Sequence, residues 1–256
     1  MKKKQNEALR RQEDAALNRA LLWVGGAIVL EALLLLLKRH YIDFDLSSAA
    51  VDRALLIRDV LAYGRILAAV AALGCLLWAF LQMKAQKSAG LPLVLAIVAG
   101  AVAVCAHVAV AYRESGVRML FLLVAAWAGL ALVYYLYQKE FFLAAIGTGL
   151  GVLGLWFARF GGGFCLESLA TLLALVLVLA VIVLLRKEDG QVKLAGLELS
   201  VLSKGTNYPL VLGSTLAALV AVIAACLMGA TAAYYLTFVM IAWLFGLLVY
   251  YTVKMM

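Results

Sequence analysis

The chain has 256 residues, 67% of them hydrophobic and 14% charged, with a mean hydropathy of +1.05 and a formal net charge of +8. Soluble domains run at about 45–50% apolar and about 25% charged, so this chain has too little polar surface to cover a globule in water. The positive charge does not point to nucleic acid. Lys and Arg fall in short segments between apolar runs, where they orient a membrane protein and hold it against anionic headgroups.

Residues 1–19 form a basic tail with six Lys and Arg. The apolar run behind it has no small-residue cleavage site and ends in Lys38-Arg39-His40, which reads as a retained signal anchor. A span needs about 20 mostly apolar residues to cross roughly 30 Å of hydrocarbon. Eight runs qualify: 20–37, 62–83, 91–111, 119–137, 141–158, 165–185, 208–228 and 230–253. They are long and continuous, without period-two alternation, so the expected fold is an all-α polytopic bundle and not a β-barrel. Pro92 and Pro209 each open a span, where the missing N–H costs nothing.

With the N-terminus inside, the cytoplasmic segments hold fourteen of the 22 Lys and Arg. That bias predicts both ends in the cytoplasm. It also makes 38–61 an outer segment and 186–207 a cytoplasmic loop, within one transmembrane domain over 20–256. The outer segment reads either as an interfacial helix or as an outward extension of the second span. In the loop, Asp189-Gly190 and the partly alternating stretch 192–202 suggest a short hairpin. The turn Gln138-Lys139-Glu140 is short enough to make the fourth and fifth spans antiparallel neighbours, as does Gly229 for the seventh and eighth.

The fourth and eighth spans resemble each other. Ala126-Trp127 precedes Leu132-Val133-Tyr134-Tyr135 at the spacing by which Ala242-Trp243 precedes Leu248-Val249-Tyr250-Tyr251. A parallel 4+4 duplication, with halves 20–140 and 141–256, would produce this register. Recurrence of interfacial tyrosines by composition would also produce it.

Close helix packing in lipid relies on small residues. The seventh span carries a period-four row, Gly213, Ala217, Ala221, Ala225 and Gly229, and the fifth has Gly147 and Gly151. Both are read as packing faces. Ionisable residues inside spans are costly in lipid and are the stronger pointers to function. Glu31 lies in the first span and His107 in the third, while Arg65 lies near the outer end of the second. If the early spans are adjacent, these three converge on one polar pocket. The bland alternatives are a snorkelling Arg65, a hydrogen-bonded packing His107 and a neutral structural Glu31.

Enzyme signatures are missing. There is no H-E-x-x-H, no G-x-S-x-G, no P-loop and no paired-aspartate cluster. The four cysteines, Cys75, Cys105, Cys165 and Cys226, form no C-x-x-C pair, so no disulfide frame, metal site or cofactor is expected. Two function classes follow. One is a small-solute or ion carrier, or the membrane subunit of a transporter, using Glu31, His107 and Arg65. The other is a non-catalytic scaffold that assembles with other membrane proteins. The expected partners are the lipid bilayer and either a second copy or a partner membrane protein, with no nucleic acid. The loop-poor, Ala/Leu-rich chain suits a bacterial cytoplasmic membrane.

The orientation is testable in intact cells after the native thiols are removed. Cysteines at Asp45 and Gly162 should react with impermeant thiol reagents added outside, and cysteines at Lys87, Lys139 and Lys193 should be shielded. The reverse pattern would invert the topology.

Overall fold

The computed structural model describes residues 2–45, 47–85, 90–136, 139–187, 191–194, 197–200 and 207–255. Among them are seven helices long and apolar enough to cross a membrane. In chain order the elements are α1 (Lys2–Leu37), a π-helical turn (Lys38–Ile42), α2 (Ser48–Lys84), α3 (Gly90–Leu136), α4 (Lys139–Gly161) and α5 (Leu166–Lys187). Strands β1 (Gln191–Leu194) and β2 (Leu197–Ser200) follow, then α6 (Tyr208–Met228) and α7 (Ala230–Met255). The described residues are therefore helical apart from turns and one short antiparallel hairpin, in which Gln191 pairs with Ser200 and Leu194 with Leu197. The expected turns at Asp189-Gly190 and at Gln138 lie outside the described residues.

The chain divides into two compact units, Leu22–Ala128 and a second made of residues 1–21 with 129–256. In the second unit α4 is the central helix. Just over half of its span is buried, 56%, because α5, α6 and α7 all pack on it. The sequence makes this approach possible by removing side chains. A Cβ at Gly147 would sit 2.5 Å from Thr215 Oγ1, one at Gly151 2.7 Å from the Ala218 Cβ, and one at Gly154 2.9 Å from both Thr171 Oγ1 and Val222 Cγ2. These glycines let the α4 and α6 backbones close up and gain dispersion contacts that lipid cannot supply.

On α6 the packed face is not the whole of the period-four row. Ala221 and Ala225 are buried, but Gly213 and Ala217 are exposed, and nothing lies within 4 Å of a Cβ built at Gly213 or Gly229. The buried stripe runs instead through Val211, Ser214, Thr215, Ala218, Ala221, Val222 and Ala225. It follows the helical period of 3.6, whereas a strict spacing of four drifts off one face along the helix. Gly229 serves a different purpose: at φ 91° it is the turn between α6 and α7.

The 22–128 unit is built differently. α2 is one unbroken helix of 37 residues, so the second half of the outer segment continues the second span and is not a separate interfacial helix. Only 6% of its apolar window is buried, and 11% of that of α1. The packed part of this unit lies around Arg113, where α3 breaks: Arg113 has φ 44° and ψ −119°. A Cβ on Gly116 would collide with the carbonyl of Val108, a residue two turns away in a straight helix. The chain therefore folds back sharply at Arg113, with Ala106, Val108, Ala109, Val117, Met119 and Leu120 buried around the bend.

Substitutions on α6 separate the packed face from the row. Ala218→Leu should overpack the α4 contact, cost about 1–3 kcal/mol and lower the melting temperature in detergent. Ala217→Leu should be close to neutral. Equal losses at both positions would mean that α6 is covered on the Ala217 side as well.

Candidate functional site

The first polar cluster lies within the 22–128 unit. Arg65 on α2 and His107 on the first arm of α3 are both half-buried, and Arg65 Nη1 lies 3.4 Å from His107 Nδ1. A guanidinium can only donate, so Nδ1 is the acceptor and the ring hydrogen resides on Nε2. The bond is long, and it requires an imidazole with a free Nδ1 lone pair. Glu31 is half-buried on α1, and among the described residues no hydrogen bond or ion pair reaches it. Two of the three residues picked out by their cost in lipid thus meet directly, and the third does not bond to them.

Helical rise places more chemistry on the same line. Arg58 lies seven residues before Arg65 on α2, the same face two turns away, or about 10 Å. Arg113 lies six residues beyond His107, about 9 Å. Arg58 and Arg113 accordingly reappear together, with Glu114, on the wall of a cleft of about 320 Å³. Its other walls are apolar and come from the π-turn, the link after it and the start of α2, among them Tyr41, Phe44 and Leu55. A second cleft of about 310 Å³ shares Phe44 and carries Arg39, His40, Asp43, Asp45 and Arg53.

Two local distortions shape this end of the unit. The π-turn over Lys38–Ile42 is closed by the Asp43 N–H on the Lys38 carbonyl at 2.9 Å, with a Lys38–Asp43 ion pair at 3.5 Å. π-Turns recur at functional sites. Among the described residues Arg113 is the single non-glycine with positive φ. Such a conformation costs about 1–3 kcal/mol and persists where the surroundings impose it. In the sequence Arg113 lies just beyond the apolar run 91–111 and Arg58 within the segment 38–61, and no motif signals a fold-back at an arginine.

A second cluster, in the 129–256 unit, was not legible as a site. Glu140, in the first turn of α4, is only 4% exposed. Its Oε2 accepts from Lys254 Nζ of α7 at 3.1 Å and from the Asn207 backbone N–H at the start of α6 at 3.4 Å. One carboxylate thus ties three helices at one end of the bundle. The Lys254 ammonium also lies 5.7 Å from the Tyr251 ring centroid, and the buried Tyr251 hydroxyl is close to Glu140 without a hydrogen bond. At the bundle's other end, the Cys165 thiol bonds to Ser168 Oγ at 2.7 Å. Ser168 Oγ donates to the Gly163 carbonyl at 2.7 Å, which also accepts from Cys226 Sγ at 3.5 Å. Here the glycine turn is required, because Gly163 has φ 77° and a Cβ would crowd the Cys226 carbonyl.

The Glu140 tie makes a stability prediction. Lys254→Met removes the charged partner of a buried carboxylate and should cost about 1–3 kcal/mol, while Lys254→Arg should retain most of it. Equal stability of both variants in detergent would mean that the backbone N–H of Asn207 suffices to hold Glu140.

Compared with known proteins, the chain matches no protein-family model, no curated protein and no solved structure.

Proposed function

We propose that this multi-pass membrane protein is a small-solute or ion carrier, or the membrane subunit of a transporter. Its polar site is the Arg65–His107 pair, with Glu31 on α1. The observation that carries this reading is the hydrogen bond between Arg65 and His107, residues 42 positions apart in the chain. Two polar side chains brought together on otherwise apolar helices are expensive in lipid, and such residues face pathways or partners.

The crossing number belongs to the same proposal. The arms of α3 on either side of Arg113 have about 23 residues each, about 35 Å at helical rise. Each is long enough to cross separately, which gives eight crossings and leaves both ends on the cytoplasmic side, in a bacterial cytoplasmic membrane. The Trp-and-Tyr register favours halves 20–140 and 141–256 arising by duplication.

A scaffold that binds a second copy or another membrane protein is the alternative. It is favoured by the broad exposed apolar faces of α1 and α2, which a partner helix could cover.

Proteoliposomes with a trapped pH-sensitive dye distinguish the two. Under imposed Na⁺ or K⁺ gradients, the carrier should move protons faster than empty vesicles do. Glu31→Gln should bring the rate down towards the protein-free value with the melting temperature unchanged, and His107→Ala should shift the pH dependence of whatever remains. A wild-type rate equal to that of empty vesicles, or a fully active Glu31→Gln protein, would favour the scaffold.

A further inference from the structure

We propose that the cleft beneath the Arg113 bend binds an anionic lipid headgroup. The Arg58 and Arg113 guanidiniums would hold the phosphate, and the acyl chain would leave along the apolar wall formed by Tyr41, Phe44 and Leu55. This goes beyond the carrier reading and stands whether or not anything is transported.

Charge is the first argument. Arg58 and Arg113 line one cavity, and among the described residues neither makes a hydrogen bond or ion pair. The acidic group beside them, Glu114, is engaged elsewhere: its Oε1 accepts from Arg118 Nη2 at 2.5 Å. Two guanidiniums without a protein partner on one cleft, with the local carboxylate paired to Arg118, favour an anion. Their planar forks suit the oxygens of a phosphate.

Shape and surroundings decide the rest of the ligand. The cavity, about 320 Å³, is at the small end for ligand pockets, so it accommodates a headgroup and not a whole lipid. Six of its nine lining residues are apolar or aromatic, which a small inorganic anion would not use. The wall continues at Leu55 onto the exposed face of α2, where Leu56 and Val60 are also exposed. A chain attached to the headgroup would therefore pass directly from the cleft to the lipid-facing surface. The fold-back at Arg113 gives the geometry a cause, since it brings an arginine from α3 opposite one from α2.

The test uses the purified full chain in a neutral maltoside detergent. Binding is followed by native mass spectrometry and microscale thermophoresis with dihexanoyl phosphatidic acid, dihexanoyl phosphatidylcholine and inorganic phosphate. Phosphatidic acid should bind saturably, the zwitterionic lipid and inorganic phosphate much more weakly. Arg58→Gln, on the exposed face of α2, should weaken phosphatidic acid about tenfold. Arg113→Gly should weaken it similarly while leaving the fold at least as stable, since glycine adopts positive φ without strain. Arg159→Gln, on α4 outside the cleft, should leave binding unchanged. Inorganic phosphate binding as tightly as the lipid would reduce the cleft to a simple anion site and overturn the amphiphile. Undiminished binding by the Arg58 and Arg113 variants, or an equal loss in Arg159→Gln, would overturn the site itself.

Discussion

In hydrocarbon a backbone N–H or C=O has no water to turn to, and every polar group must find its partner within the protein. That constraint explains why the apolar runs are helices. It also explains the behaviour of the hydroxyls within them. Thr148, Ser214, Thr215, Thr237 and Thr252 each bond back to the carbonyl four residues earlier, at 2.7–3.0 Å. Each is satisfied by its own helix and leaves the helix surface free for packing. Trp243 uses the same economy, donating its indole N–H to the Ser214 hydroxyl at 3.2 Å. Charged side chains cannot be satisfied this way and need partners from other elements, as Glu140 finds in Lys254 and the Asn207 N–H.

The two units answer the constraint differently. In the 129–256 unit, Gly147, Gly151 and Gly154 on α4 meet Thr215, Ala218 and Val222 on α6, and tight backbone approach supplies the cohesion. Glu140 then ties the ends of α4, α6 and α7 through Lys254 and the Asn207 N–H. In the 22–128 unit, α1 and α2 keep most of their apolar surface exposed, and the polar residues gather toward the end marked by the π-turn and Arg113. One unit is thus held by close backbone packing, while the other leaves most of its apolar helix surface uncovered and carries its charges toward one end.

The length of the apolar runs made the helices legible, because a run of about 20 mostly apolar residues has one stable conformation in lipid. The interruption of the apolar run between Ala111 and Met119 by Arg113, Glu114 and Arg118 was legible as a span boundary, but not as a fold-back centred on Arg113. The packed face of α6 was read less well, since counting small residues every fourth position ignores the drift of a 3.6-residue helix and places Gly213 and Ala217 on a face they do not share. The Arg65–His107 contact joins two of the three residues singled out by their cost in lipid, while Glu31, expected in the same pocket, makes no bond to either. Glu140 with Lys254 was not anticipated. One looked like part of a turn and the other like an orienting charge, and their meeting depends on the α4–α7 packing, which no local pattern encodes. The Arg58–Arg113 cleft escaped notice for the same reason, being created by a fold-back between distant segments.

The most direct measurement concerns His107. The chain has only two histidines, and hydrogen bonding gives them opposite tautomers. His40 Nδ1 faces the Leu36 carbonyl at 2.9 Å and must carry the hydrogen, whereas His107 Nδ1 accepts from Arg65 and must not. Solid-state NMR of ¹⁵N-histidine-labelled protein in liposomes should therefore show one Nδ1-protonated ring and one Nε2-protonated ring, with only the latter altered by Arg65→Gln. A His107 ring protonated at Nδ1, or one indifferent to the loss of Arg65, would contradict the polar pair on which the proposed site is built.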